Sequence, residues 1–345
     1  YLFGTAFELT PQTNLLVFAL CFLLFDGASR PVTRSLFAAN ASNALVVGTS
    51  PLTRAAVDHL RENPQLGYRV VHWIERPATT SLGTISDLVR THHAGTVIFE
   101  RRTLADTSGL AAAYQLLSRE VAVTTLTDFY ETIFERAPLG EVDETWFIER
   151  LATHRRFYDA VKRTLEFVGA ALGLAVLAPF LVLVALAVKL SSSGPIIFRQ
   201  VRVGKHGKPF TLYKFRIMVA HHNGAPVTLV NDPRFTAVGR FLNFTHLNEL
   251  PQLWNVLRGD LSLIGPRPES AELVAAYRSL PHYDLRHVVK PGVTGWAQIN
   301  FKPSASREEA FVKLSYDIYY IAHRSVLIDL MILLRTVRHL VSPAR

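Results

Sequence analysis

The chain has 345 residues, with 37 Lys and Arg against 28 Asp and Glu, a formal net charge of +9 and a mean hydropathy of +0.19. That length holds two or three domains, and basic charge beside long apolar runs points to anionic lipid, a phosphorylated substrate, or both. The sequence has no zinc-finger spacing, basic–aromatic RNA motif or Lys/Arg block, which argues against a nucleic-acid partner, and its single cysteine, Cys21, excludes intrachain disulfides and multi-thiolate metal sites.

The chain opens on Tyr1 within a running pattern, without Met or a signal peptide, as expected of a fragment that lacks its N-terminal part. Residues 15–25 are apolar and then meet Asp26, Arg30 and Arg34. They are short for a bilayer crossing, which needs ~20 residues. A buried core helix has this composition too; the preferred reading of residues 1–40 is the end of a transmembrane region and a linker, its arginines on the cytosolic side.

From residue 43 strands and helices alternate. ALVVG (44–48), YRVVHWI (68–74), GTVIF (95–99) and VAVTTL (121–126) read as strands, and 51–61, 85–92 and 104–118 as helices. This alternation predicts a parallel, doubly wound sheet domain over 41–150. The first turn, GTSPLTR (48–54), could cradle a phosphate at a helix N-terminus but lacks G-x-G-x-x-G. A scaffolding or regulatory role is expected ahead of nucleotide binding.

A basic link (153–163) leads into residues 167–188, about 22 residues without charge. A straight helix of that length would span the ~30 Å hydrocarbon core. Pro179 near its middle predicts a kink. Basic residues on both flanks would leave one cluster on the wrong side of a crossing. The expectation is a re-entrant hairpin that bends at Ala178-Pro179 and returns to the same face.

Residues 191–218 alternate like a short basic hairpin. Lys205 and Lys208 read as a solvated face for anionic lipid, whereas Lys214 and Arg216, two apart on a strand, share a face suited to gripping a phosphate. Leu247, Leu250, Leu253, Trp254 and Leu257 follow helical spacing, with Glu249 off the apolar stripe. Gly259-Asp260 ends that helix, and the bend at Pro266-Arg267-Pro268 restricts the backbone carrying Arg267. An acid beside a fixed cation fits a phosphate and metal site, and equally a structural Glu–Arg bridge.

From about Tyr158 onward the chain resembles the bacterial sugar transferases, the monotopic polyprenyl-phosphate phosphoglycosyl transferases. The resemblance rests on Lys162-Arg163 before a Pro-broken apolar segment, GPIIFRQVRVGKHGKPF, YKFRIM, DPRFTAVGRFL, LNELPQLWNVLRGDLSLIGPRPE, KPGVTGWAQIN and YDIYYIAHRSVLIDL. The upstream layout is similar to large members carrying a transmembrane segment and a Rossmann-like domain. The implied fold is α/β: a Rossmann-like parallel sheet domain, then a membrane-associated, α-rich phosphoglycosyl transferase domain (151–345) with the re-entrant hairpin. The implied reaction moves a sugar-1-phosphate from a nucleotide-diphosphate sugar, a UDP-sugar for choice, to polyprenyl (undecaprenyl) phosphate with Mg²⁺. It would initiate exopolysaccharide, capsule or O-antigen synthesis at the bacterial inner membrane, facing the cytosol; self-association as a homo-oligomer is compatible with it. The resemblance gives Lys214 and Arg267 phosphate contacts and Glu249 a metal, with Asp317 as a further acidic site residue, although the aromatics around Asp317 also fit plain packing.

Three positions depart from the family pattern. Asn248 stands where the nucleophilic Asp is usual, Ile217 replaces Thr, and Asn243 replaces an arginine. An amide oxygen is a poor nucleophile, so the usual covalent intermediate does not form at Asn248. An active transferase is the preferred reading. A catalytically impaired homologue serving as a binding or assembly subunit, and an oxidoreductase built on the N-terminal sheet, are the alternatives.

Overall fold

The computed structural model describes residues 41–75, 82–105, 107–142, 144–151, 155–219, 233–301 and 306–341. The expected membrane segment at 15–25 lies outside them. The chain divides into two compact units between Phe134 and Glu135, upstream of the boundary expected at 150.

In the first unit, β1 (Ser42–Val47), β2 (Tyr68–Ile74), β3 (Thr96–Phe99) and β4 (Ala122–Thr125) form one parallel sheet in the order β2-β1-β3-β4. Alternation along β1 sends successive residues to opposite faces. Leu45 and Val47 join Val97 and Phe99 under α2 (Leu82–Thr91) and α4 (Thr107–Leu117), which follows the short α3 (Arg101–Ala105). Ala44 and Val46 join Ile98 under α1 (Pro51–Glu62) and α5 (Leu126–Phe134). Two covered faces are what a doubly wound sheet requires, and they make the near-continuous apolar strands intelligible. Helix α5 begins at Leu126, where the strand pattern of VAVTTL predicts the end of the fourth strand.

The second unit begins with α6 (Glu144–Leu151), whose Trp146 and Phe147 enter a core with Trp296, Leu314, Ile318 and Ile332. Next is α7 (Arg156–Ser191), 36 residues with Pro179 inside. The two-armed hairpin expected for 167–188 is absent as separate elements; the helix is unbroken at Ala178-Pro179. A proline deletes one backbone hydrogen bond, at ~3 kcal/mol when uncompensated, and the bonds on either side carry the helix past it. Among the described residues α7 is the one helix long and apolar enough to cross a membrane. Leu172, Val176, Val182, Leu183 and Leu186 are all more than half exposed on it.

Both ends of α7 are fixed to the second unit. Near its start, Arg163 donates to the carbonyls of Val256 and Leu257, and Glu166 accepts from the Ser262 hydroxyl and, at 3.0 Å, from Leu263 N–H. At its other end Val184 and Val188 pack with Phe215 and Leu242. Then β5 (Ile197–Val203) and β6 (Pro209–Phe215) form the expected antiparallel hairpin. Helix α8 (Ala237–Phe244) follows. The amphipathic stretch beyond it is not one helix: a 3₁₀ turn at Leu247–Glu249 is separated from α9 (Gln252–Arg258) by Pro251, and His246 before it has a left-handed φ of 57°. Strands β7 (Ser262–Ile264) and β8 (Gly292–Thr294) pair in parallel so closely that a Cβ on Gly292 would stand 2.1 Å from Gly265 N. Glycine is required there. Helices α10 (Ala271–Tyr277), α11 (Trp296–Asn300), α12 (Arg307–His323) and α13 (Val326–Val341) complete the unit.

Candidate active site

Strand β6 carries Lys214, and Asn255 of α9 holds the strand in register: its Nδ2 donates to Thr211 O at 2.7 Å and its Oδ1 accepts from Tyr213 N–H at 3.1 Å. This places Lys214 Nζ 2.6 Å from Glu249 Oε1 across the 3₁₀ turn. Arg267 belongs to the same constellation. Its flanking prolines are buried while Arg267 is exposed. The backbone around it is clamped by two other arginines: Arg286 donates to Arg267 O at 3.2 Å and Arg202 to Pro268 O at 3.3 Å. Arg267 itself has no carboxylate within ion-pair distance among the described residues. A fixed backbone with an uncommitted guanidinium suits bidentate capture of a phosphate.

Glu249 and Arg267 line a cavity of about 760 Å³, together with the polar residues Arg202, Asn243, His246, Glu269 and Lys313. Leu250, Leu253, Leu273, Val293, Ile299 and Phe301 are among its apolar lining residues. Burial alone would raise the Glu249 pKa, but the Lys214 charge and hydrogen bond, with Arg267 and His246, outweigh it and hold the carboxyl below its ordinary value. Lys214 is lowered, first by burial and then by Arg267 and Arg202, against the pull of Glu249.

Four expected site residues, Lys214, Arg216, Asn248 and Asp317, are not in the cavity wall, and of these Lys214 is paired with the lining residue Glu249. Arg216 follows the end of β6, so the two-residue alternation linking it to Lys214 has lapsed. Its Nη2 donates to Ser192 O at 2.7 Å and Val188 O at 3.2 Å, closing the C-terminal end of α7. Its Nη2 thus caps the helix, while its buried Nη1 has no hydrogen-bond partner among the described residues. Asp317, 2% exposed, is not in the cavity wall; it sits on the core side of α12 and binds Arg286 Nη2 at 2.9 Å. Burial holds its carboxyl above the ordinary value, against the Arg286 and Lys313 charges. The same guanidinium pairs with Glu269, which also takes Lys313 Nζ at 2.7 Å. Burial raises Glu269, but Arg286 and Lys313 together hold it well below the carboxylate range. Asp317 therefore acts through Arg286, which fastens Arg267. Arg286, Glu269, Lys313 and Arg202 were not singled out from sequence; the i,i+4 spacing of Lys313 and Asp317 on one helix was the available signal.

Asn248 is 4% exposed within the 3₁₀ turn, outside the cavity wall, and its Oδ1 has no hydrogen-bond partner among the described residues. Ala178 and Pro179 lie mid-helix in α7. No cluster of three or more His, Cys, Asp or Glu suited to a metal occurs among the described residues.

The glycine-poor turn of the first unit has an occupant of its own. Glu100 Oε2 accepts from Thr49 N–H at 2.7 Å and Ser50 N–H at 3.2 Å, filling the N-terminus of α1 with a carboxylate. The Thr49 and Ser50 N–H groups are therefore already taken by a carboxylate.

A family model for bacterial sugar transferases matches residues 157–343. The UDP-N-acetylgalactosamine-undecaprenyl-phosphate N-acetylgalactosaminephosphotransferase of Aeromonas hydrophila is 39% identical over 184 residues, 52% of this chain and 44% of that protein. The UDP-glucose:undecaprenyl-phosphate glucose-1-phosphate transferases of Escherichia coli (strain K12) and Klebsiella pneumoniae are 35% and 33% identical, over 85% and 90% of this chain. The chain spans 66% and 71% of those two proteins. With more than half its length inside the family model, the chain belongs to the bacterial sugar transferase family.

Proposed function

We propose that the chain transfers a sugar-1-phosphate from a UDP-sugar to undecaprenyl phosphate, the first step of exopolysaccharide, capsule or O-antigen assembly. The observation that carries this reading is Glu249, paired with Lys214, beside the unpaired Arg267 in a cavity whose wall carries further cations and apolar side chains. Two adjoining phosphates need fixed cations, and a uracil and the first isoprene units need apolar walls.

In this reading an oxygen of the acceptor phosphate bonds to the β-phosphorus of the donor, the bond from that phosphorus to the bridging oxygen breaks, and the bridging oxygen leaves with its electron pair as part of UMP. Arg267 and Lys214 hold the charge that develops. Glu249 would be the carboxylate for Mg²⁺, since one carboxylate with substrate phosphates is a usual way to hold that ion. When bound, Mg²⁺ neutralises phosphate charge as a Lewis acid. Asn248 closes the route through an acyl phosphate at that position, leaving direct attack by the undecaprenyl phosphate oxygen.

The membrane reading draws on α7. Both of its ends are tied to the same unit, through Glu166 at one end and Val188 and Ser192 at the other. This supports a helix that dips into one leaflet and bends about Pro179, with the site on the cytosolic face of the inner membrane.

The test is UMP release from UDP-glucose, UDP-galactose and UDP-N-acetylgalactosamine with undecaprenyl phosphate and Mg²⁺, for the chain and for Asn248→Asp. Slow release is expected from the chain, and release faster by roughly 10³ from the variant, which regains a nucleophile. No release from either protein with any of the three sugars overturns the transferase reading and leaves a binding or assembly role.

A further inference from the structure

A second cavity, of about 200 Å³, opens beside the start of α7 and shares no lining residue with the first. Its wall contains Lys162, Arg163, Lys205, Lys290 and Arg324 against two carboxylates, Asp159 and Glu166. The carboxylates are committed. Glu166 takes Lys162 at 3.4 Å, as well as the Ser262 hydroxyl, and Asp159 lies 3.7 Å from Arg324. Lys162 has a further partner in Asp329 at 2.6 Å.

Three cations are left without a carboxylate. Arg163 spends its donors on the carbonyls that end α9, which are dipoles and do not cancel its charge. Lys290 and Lys205 have no ion pair among the described residues. Arg163 and Lys290 crowd the same glycine: a Cβ on Gly259 would stand 3.1 Å from Arg163 Nη2 and 3.3 Å from Lys290 Nζ. Like charges around one glycine repel, and burial first and then the Arg163 charge lower the Lys290 pKa, against Glu166 and Asp260. An anion between them would remove the repulsion, and its oxygens would gain charge-assisted hydrogen bonds.

We propose that this cavity is a second anion site, which takes a phosphate group on Lys290, Lys205 and Arg163. Its position suits the headgroup of an anionic phospholipid. Arg163 stands one turn before Phe167, the first residue of the uncharged stretch of α7, and its guanidinium lies 5.7 Å from the Phe167 ring centre. Free phosphate has the same chemistry and is the other source.

The experiment uses the full chain in an uncharged detergent. Acetylation rates of individual lysines are read by peptide mass spectrometry during titration with dihexanoyl phosphatidylglycerol, with inorganic phosphate, and with zwitterionic dihexanoyl phosphatidylcholine as reference. Saturable protection of Lys290 and Lys205 is expected, with the exposed Lys189 and Lys208 unchanged. Protection by phosphatidylglycerol alone assigns the site to a headgroup; equal protection by inorganic phosphate assigns it to a soluble phosphate. Lys290→Gln, checked for an unchanged melting temperature, should weaken the protection of Lys205 about tenfold, the loss of one charge-assisted contact. Absence of saturable protection by either anion, or an unchanged midpoint at Lys205 in that variant, overturns the proposal.

Discussion

Replacing Asp317 with Asn separates a structural carboxylate from one that touches substrate. Four buried or nearly buried charges form a balanced set: Asp317 and Glu269 against Arg286 and Lys313. Asp317 is 2% exposed and Arg286 3%. Removing one partner of a fully buried pair costs ~3–5 kcal/mol, because the other charge is stranded. Asn keeps an oxygen for Arg286 Nη2, and Glu269 stays on the same guanidinium, so the loss belongs at the low end, ~2–3 kcal/mol. At ~2–4 °C per kcal/mol for a unit of this size, the melting temperature should fall by ~4–12 °C. Circular-dichroism melts in detergent would measure it, alongside UMP release corrected for the folded fraction. Release should decline mainly through a higher KM for the UDP-sugar, since Arg286 also holds the backbone of Arg267. A melting temperature changed by less than ~1 °C, together with complete loss of turnover, would refute this reasoning and put Asp317 in direct contact with substrate.

Arg216→Met should free the carbonyls of Val188 and Ser192, costing ~1.5–3 kcal/mol and speeding proteolysis near residues 191–194, with UDP-sugar affinity unchanged. Lost affinity in a protein of unchanged stability would return Arg216 to the phosphate site. Glu100→Ala should lower the stability of the first unit by ~1–2 kcal/mol, and Glu100→Gln should recover part of it, as read by hydrogen exchange at Thr49 and Ser50. Equal exchange in all three proteins would contradict this. His287 has its pKa lowered to about 4, by burial and then by the Arg286 charge. A histidine with a depressed folded pKa leaves stability intact above its unfolded value of ~6.5 and removes it as pH falls toward 4. His287→Asn should therefore flatten the melting profile over that window, and an identical slope in the variant would disprove the assignment.

The sequence carried the first unit because its signal is local. Val46 and Val47 face opposite ways by the strand period alone, and each finds a helix whose own period is readable. The second unit was legible as motifs and less so as geometry. Lys214 and Glu249 are 35 residues apart, and no spacing rule brings them to 2.6 Å; the resemblance to a family joined them. Arg216 lies just past β6, which ends at Phe215, so the two-residue strand rule stops one residue short of it. The predicted helix through 247–257 fails at Pro251, which the apolar stripe conceals. Asp317 lies on the helical face that carries Leu314 and Ile321, so a carboxylate at a core position pointed to a buried partner. Its partner, Arg286, comes from a 3₁₀ segment (Tyr283–Val288) with no periodic signal.

Recognition and chemistry come apart in this site. Lys214 is matched by Glu249 and Lys313 by Glu269, while Arg202 and Arg267 face the cavity with no carboxylate of their own among the described residues. Two unmatched guanidinium charges fit a diphosphate, which carries about as much charge of the opposite sign, and one of them is set between buried prolines. None of these groups depends on residue 248, whose side chain lies outside the cavity wall with its oxygen unpartnered. In the proposed reading an amide there removes a nucleophile and leaves the cations standing. UDP-sugar should accordingly bind the chain and its Asn248→Asp variant with similar Kd while turnover differs by orders of magnitude, as isothermal titration in the absence of acceptor would register. Weakening of that Kd by more than about tenfold on the Asn248→Asp change would mean that the carboxylate repels the phosphates, and that residue 248 lies closer to them than the wall of the cavity shows.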